Sequence, residues 1–386
     1  MDNFTETKYT NLGQNIGSSI MGTIFGLFLI VGSIVLLWWN ESSSVSKANA
    51  LREMQGNIIT LQSPIYDAKN NNKPILLSGE VKPLQELLDP VFSVKSNGLT
   101  LKREVQMYQW KEDSKSESKK KLGGGTETVT TYNYTKIWSS TKGDSSNFKH
   151  QEGHSNPEMN YKNKKFTTNA TLGDFSLNSS VVNHIDPYKE YVDLSKLPKE
   201  LNGASNHGSF LYIGKDANNP QIGDLKITYR YAPAGTYTFA AMQTDKNIKS
   251  YTTSNGKNFL FVRSGKASAN EIFADELNNN SVLTWVFRVM GLLVMLFGFI
   301  LLMGLVQTLA NIIPLFGNIL GVGTSIIATI LTAILGSIVI ALAWFTARPM
   351  VTLIVLLIGF AIALALKKLK QKPLAPISNS TPPPRR

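Results

Sequence analysis

The chain contains no cysteine among its 386 residues. That absence excludes disulfides, thiolate nucleophiles and sulfur-ligated zinc or iron, so any part outside a membrane is held by packing alone. Histidine is scarce, at four residues, and none falls in a long apolar run. Acidic residues are missing from those runs too, where the only ionisable groups are Arg288 and Arg348. A proton-coupled carrier keeps carboxylates or histidines at depth, because charge in hydrocarbon is costly and is retained only for use. Catalytic signatures are equally thin. No Gly-x-Ser-x-Gly elbow occurs, and no Gly-Lys-Ser/Thr follows Gly123-Gly124-Gly125, which excludes a phosphate-binding loop of that kind. His150-Gln151-Glu152-Gly153-His154 matches neither zinc-protease helix pattern, and Gly153 with Ser155-Asn156-Pro157 reads as loop. These residues imply no enzymatic reaction, no cofactor and no metal site, and without a basic stretch carrying interleaved aromatics they imply no nucleic-acid partner.

What the chain has in abundance is apolar length. A helix rises 1.5 Å per residue and a bilayer core is about 30 Å thick, so about 20 apolar residues cross it. Four segments qualify: span 1 at 17–39, span 2 at 285–306, span 3 at 319–346 and span 4 at 349–366. The first ends in Trp38-Trp39, as suits the headgroup boundary. Its flanks lack a basic n-region and a small-x-small cleavage site, so it is a retained anchor rather than a signal peptide. Ser18, Gly22 and Gly26 lie four apart and could let another span approach closely, although the same spacing arises by chance in membrane helices. Between spans 2 and 3, residues 307–318 form an uncharged loop around Pro314, expected to lie flat in the interface. Arg348-Pro349 makes a tight turn between spans 3 and 4.

Residues 40–284 are polar and read as a β-rich α+β domain inserted between spans 1 and 2. Alternating Thr, Tyr, Val and Ile over 75–81, 99–110, 126–139, 223–231, 237–243 and 259–263 predict half-buried strands. Lys119-Lys120-Lys121 before Gly123-Gly124-Gly125 marks an exposed hairpin tip. The aromatics Tyr108, Trp110 and Trp138 read as sheet packing. Ser268 with Glu271 is a capping box that starts an amphipathic helix leading into span 2. With a helical stretch over 45–54, it gives the domain two stalks expected to pack together.

Charge sets the expected sidedness. Residues 40–284 carry 30 basic and 25 acidic side chains, whereas the tail 367–386 has six basic residues and no acid. Short basic segments stay cytoplasmic, which puts the tail and residues 1–16 on that side and the domain across the membrane. Lys367, Lys368, Lys370 and Lys372 would meet lipid headgroups, or serve only to stop transfer.

The order of one anchor, a large domain and three spans resembles the LUMA family, also called transmembrane protein 43. The motifs that carry the resemblance run through most of the chain: Trp39-Asn40-Glu41, Met107-Tyr108-Gln109-Trp110, the Tyr132, Tyr134 and Trp138 run, and Gly153-His154 with Asn156-Pro157. They continue with Gly223-Asp224-Leu225, Trp285, Arg288 and Arg348-Pro349. His150 and Glu152 fall outside that pattern. The resemblance implies a non-enzymatic four-span scaffold or sensor that contacts membrane lipid and forms a homo-oligomer. In an animal member it implies the endoplasmic reticulum and inner nuclear membrane, with lamins and emerin as partners; a bacterial member would have a periplasmic domain. A channel or transport accessory is the alternative reading, and a membrane-bound hydrolase the third.

Overall fold

The computed structural model describes residues 2–186, 192–310 and 314–347. The expected fourth span, Arg348-Pro349 and the tail lysines lie outside them. Among the described residues there are four helices: α1 (Leu12–Asn57), the short α2 (Ser179–Val182), α3 (Ala269–Ala310) and α4 (Pro314–Ala347). α1, α3 and α4 are long and apolar enough to cross a membrane. α1 starts at a reciprocal cap in which Gln14 N donates to the Asn11 side chain and Asn11 N donates to Gln14 Oε1, so the orphan amides of its first turn are satisfied. α3 starts the same way, with Glu271 N donating to Ser268 Oγ and Ser268 N to Glu271 Oε2. Most of the loop expected over 307–318 is helix instead, because α3 runs to Ala310 and α4 opens at Pro314. Proline suits a first helical turn, where its missing N–H would have no intrahelical partner.

The strands form two main sheets. The smaller has seven strands, with Pro74–Pro83 paired antiparallel to Gly235–Thr244 at its centre. The larger has eight, and its long members are Thr100–Lys120, Thr126–Ser139 and Leu225–Ala232. Alternation does what it should in Leu225–Ala232, where Leu225, Ile227 and Tyr229 turn inward. One apolar core gathers around Ile75, Leu77, Phe175 and Phe239, and a second around Leu101, Val105, Ile227 and Tyr229. Within the second, Asp89 is fully buried and accepts Arg103 Nη1 on both oxygens and the Tyr229 hydroxyl at 2.6 Å. Burial, and then the Asp89 carboxylate, push the Tyr229 hydroxyl well above the usual phenol range. A third core joins domain to helices: Leu51 and Met54 of α1 and Ile272 and Phe273 of α3 close over Leu76, Ala240 and Phe259. The helices therefore run from the apolar bundle into the domain without a break.

Residues 1–16 do not stand apart as expected. Asp2–Thr10 is the edge strand of the larger sheet, antiparallel to Thr126–Ser139, with Asp2 opposite Tyr134 and Thr10 opposite Thr126. The hairpin turn at Lys121–Gly125 then meets the start of α1, where Asn15 Nδ2 donates to Gly124 O at 2.8 Å and Thr126 Oγ1 at 3.0 Å. Fourteen strand residues reach about 45 Å, and the thirty residues from Leu12 to Glu41 rise about 45 Å. The ribbon thus matches the apolar part of α1 in length, and its tip meets the first turns of that helix. Paired strands share one environment, and open polar edges are not tolerated in hydrocarbon. Register and charge count thus make opposite demands on the side the N-terminus takes.

Candidate functional site at the membrane boundary

Three side chains meet where the apolar helices enter the domain. Glu41 of α1 is 1% exposed and makes a bidentate ion pair with Arg288 of α3, through Nε and through Nη2 at 2.8 Å. Trp344 of α4 donates its indole N–H to Glu41 Oε2 at 2.7 Å. The Arg288 guanidinium lies 4.7 Å from the Trp285 ring centre and 5.8 Å from that of Trp344. A carboxylate at this depth is tolerable only because every face of the charge is answered. The node ties three helices together at one height. Beside it, Asn40 Nδ2 donates to Thr284 O at 3.1 Å, Thr284 Oγ1 to Ser44 Oγ at 2.6 Å, and Asn280 Nδ2 to Ser44 O at 2.9 Å.

Below the node α1 and α3 run antiparallel and nearly touch. A methyl group on Gly26 would lie 2.6 Å from Gly298 O, and one on Gly298 would lie 2.8 Å from Ile30 Cγ1. Gly22 faces Leu301 more loosely, at 3.9 Å. Ser18 is not on this seam: it donates to Asn15 O in its own helix, and Ser19 instead bonds Thr308 at 2.5 Å. Four-residue steps drift about 40° each around a helix, whereas seven residues nearly complete two turns. Ser19, seven before Gly26, therefore stays on the contact line and Ser18 leaves it.

Above the node the two helices border a cavity of about 390 Å³. Its walls are Glu41, Ser44, Val45, Ala48 and Arg52 on α1 and Leu277, Asn280, Ser281, Thr284, Trp285 and Arg288 on α3, with Trp344 as the α4 contribution. On both long helices the spacing is three or four residues, one face over three turns. A smaller cavity of about 150 Å³ lies on the other side of the same helix pair, lined by Trp39, Ser43, Lys47, Leu283 and Phe287 among others.

The remaining motif residues gather elsewhere, at the base of the ribbon. Asn156 accepts from Trp110 N at 2.7 Å and donates to Trp110 O at 2.9 Å, which fastens the 153–157 loop to the long strand. Gly153 has φ +77° and Gly223 φ +98°, backbone conformations that favour glycine, and a methyl on Gly223 would lie 2.8 Å from Pro157 Cγ. Asp224 accepts the Tyr212 hydroxyl at 2.5 Å, and burial followed by that carboxylate pushes the hydroxyl far upward. Tyr108 and Trp138 pack 5.2 Å apart, with Trp138 also edge-on to Tyr212. His154 is 3% exposed, stacked on Tyr134 at 3.9 Å and set edge-on to Trp110 at 4.7 Å, while His150 stacks on Phe4 at 4.2 Å. Both histidines are thus packed among rings. The sequence singled out Arg288 and the triplet containing Glu41, but not their pairing, and it missed Trp344. The available signal was one charge of each sign at the ends of two adjacent apolar spans, each within three residues of a tryptophan.

A helical bundle long enough to cross a bilayer, joined through continuous helices to a two-sheet domain, defines an integral membrane protein. The family model described as Transmembrane protein 43 matches residues 107–349, and the chain belongs to that family. It is 28% identical to human Transmembrane protein 43 over 355 residues, covering 89% of this chain and 88% of that protein. It is 27% identical to the Drosophila melanogaster homolog over 368 residues, covering 90% and 95%. No solved structure matches.

Proposed function

We propose that this protein is a non-enzymatic membrane scaffold or sensor that self-associates and holds partners at the bilayer through its β-rich domain. The observation that carries this reading is the continuity of α1 and α3 from bundle to domain, pinned at the boundary by Glu41, Arg288 and Trp344. Such a joint has no loop to absorb motion, so a partner that tilts the domain tilts the helices. The test is subunit counting of the full chain in nanodiscs, combined with ion-flux recording in liposomes. Oligomers with background conductance support the scaffold; monomers at all protein-to-lipid ratios reject self-association, and a conductance above background favours the channel alternative. The histidines first considered for a hydrolase are enclosed by Phe4, Trp110 and Tyr134, a setting suited to packing. The reading keeps the expected placements as proposals: endoplasmic reticulum and inner nuclear membrane with lamin and emerin contacts in an animal cell, or a cytoplasmic membrane with a periplasmic domain in a bacterium.

A further inference from the structure

We propose that the larger boundary cavity is a binding site for the phosphate of an anionic phospholipid headgroup. Charge within it is unbalanced. Glu41 and Arg288 neutralise each other at the floor, which leaves Arg52 at the rim. Arg52 is exposed, and among the described residues it has no acidic partner, only a 3.5 Å contact with Asn49 Oδ1. Between rim and floor the walls offer the exposed Ser281 and the half-buried Ser44. Ala48, a small residue, stands between Arg52 and Ser44 on the α1 wall and leaves room there for an anion.

Depth favours a lipid as the source. Trp39, Trp285 and Trp344 mark one level on the three helices, and tryptophan settles at the headgroups. Below that level the outer face of α3 presents exposed Val286, Val289 and Leu293, a surface for acyl chains. A phosphodiester above that surface would lie between the floor pair and Arg52, which can bring its head down from the rim along its apolar stem. The smaller cavity, with Lys47, is the natural comparison because it has the same depth but about 150 Å³ of space.

The site needs only the cavity and its depth, and stands whether or not the protein is a scaffold. The experiment uses the full-length protein in nanodiscs of phosphatidylglycerol and phosphatidylcholine, with lipid retention after detergent extraction read by native mass spectrometry. Wild type is expected to retain phosphatidylglycerol in preference to phosphatidylcholine. Arg52→Gln should weaken that preference about fivefold, the weight of one basic residue at an anionic surface, with an unchanged melting temperature. Lys47→Gln should leave it unaltered. Equal retention by wild type and Arg52→Gln, or no preference between the two lipids, overturns the site. Displacement of the lipid by millimolar inorganic phosphate also overturns it, because the anion would then come from solution.

Discussion

The domain grips α1 at both ends, and by opposite means. At the C-terminal end, Leu51 and Met54 are fully buried against the domain and the Glu41 charge is enclosed by Arg288 and Trp344. At the N-terminal end, the ribbon tip holds the helix through Asn15 and the contact of Leu12 with Gly124, while most of the ribbon stays exposed. Burial of apolar area is worth about 25 cal/mol per Å², and a buried charge becomes very costly once its partner is removed. A hydrogen bond in reach of water nets about 1 kcal/mol. The first grip therefore contributes far more to stability than the second.

The largest expected effect breaks the first grip. Glu41→Ala leaves the half-buried Arg288 without its partner and should cost about 3 kcal/mol, read as a fall in melting temperature of the detergent-solubilised protein. Replacing both, Glu41→Met with Arg288→Met, should recover most of that loss; a double variant as unstable as the single one would show that the pair is not what holds the boundary. Next comes Gly26→Ala, whose methyl meets the Gly298 carbonyl and should cost about 1–3 kcal/mol by pushing α1 and α3 apart. Unaltered stability there would mean that the helices cross more loosely than described.

At the second grip, Asn15→Ala should cost about 1 kcal/mol and increase proteolysis of the hairpin tip. The register itself is open to test with Thr5→Cys and Thr131→Cys, which face each other across the strands. Oxidation in sealed vesicles should crosslink them; absence of a bond, with both thiols reactive from opposite sides of the membrane, would dissolve the ribbon and restore the sidedness expected from charge. The smallest effect concerns Glu53, whose carboxyl is held below its ordinary value of 4.5 by the Ser254 hydroxyl and backbone N–H. Because the folded value is the lower one, the stabilisation is present above pH 4.5 and is lost as pH falls through the folded value. Wild type should therefore be slightly more stable than Glu53→Gln near neutral pH and lose that advantage as pH falls through the folded value; a stability difference that is absent at neutral pH, or that does not narrow in acid, would remove this contact from the stalk.

Much of the fold was legible beforehand where a local rule applies. Alternation located the long strands, and the Ser268–Glu271 cap located the start of α3. The N-terminal strand was not legible, because Asp-Asn-Phe-Thr-Glu-Thr-Lys-Tyr-Thr buries almost nothing and so leaves no apolar pattern; its partner edge alone gives it structure. The 307–318 loop was overestimated because polar Gln307 and Asn318 end a hydropathy run without ending a helix. At the site, Trp285 and Arg288 were visible as boundary residues, but Arg288's acidic partner sits 247 positions away.

By itself the sequence determined that the chain carries apolar segments long enough to cross a bilayer and a β-rich polar domain with its long strands, since these depend on composition over a window and on periods of 3.6 and 2. Only the tertiary structure decided that Glu41, Arg288 and Trp344 share one height, that Ser19 rather than Ser18 lies on the seam, and that the first strand joins the last edge of a sheet. Those outcomes depend on helix rotation, axial register and strand pairing between distant segments, quantities that no local run of residues encodes.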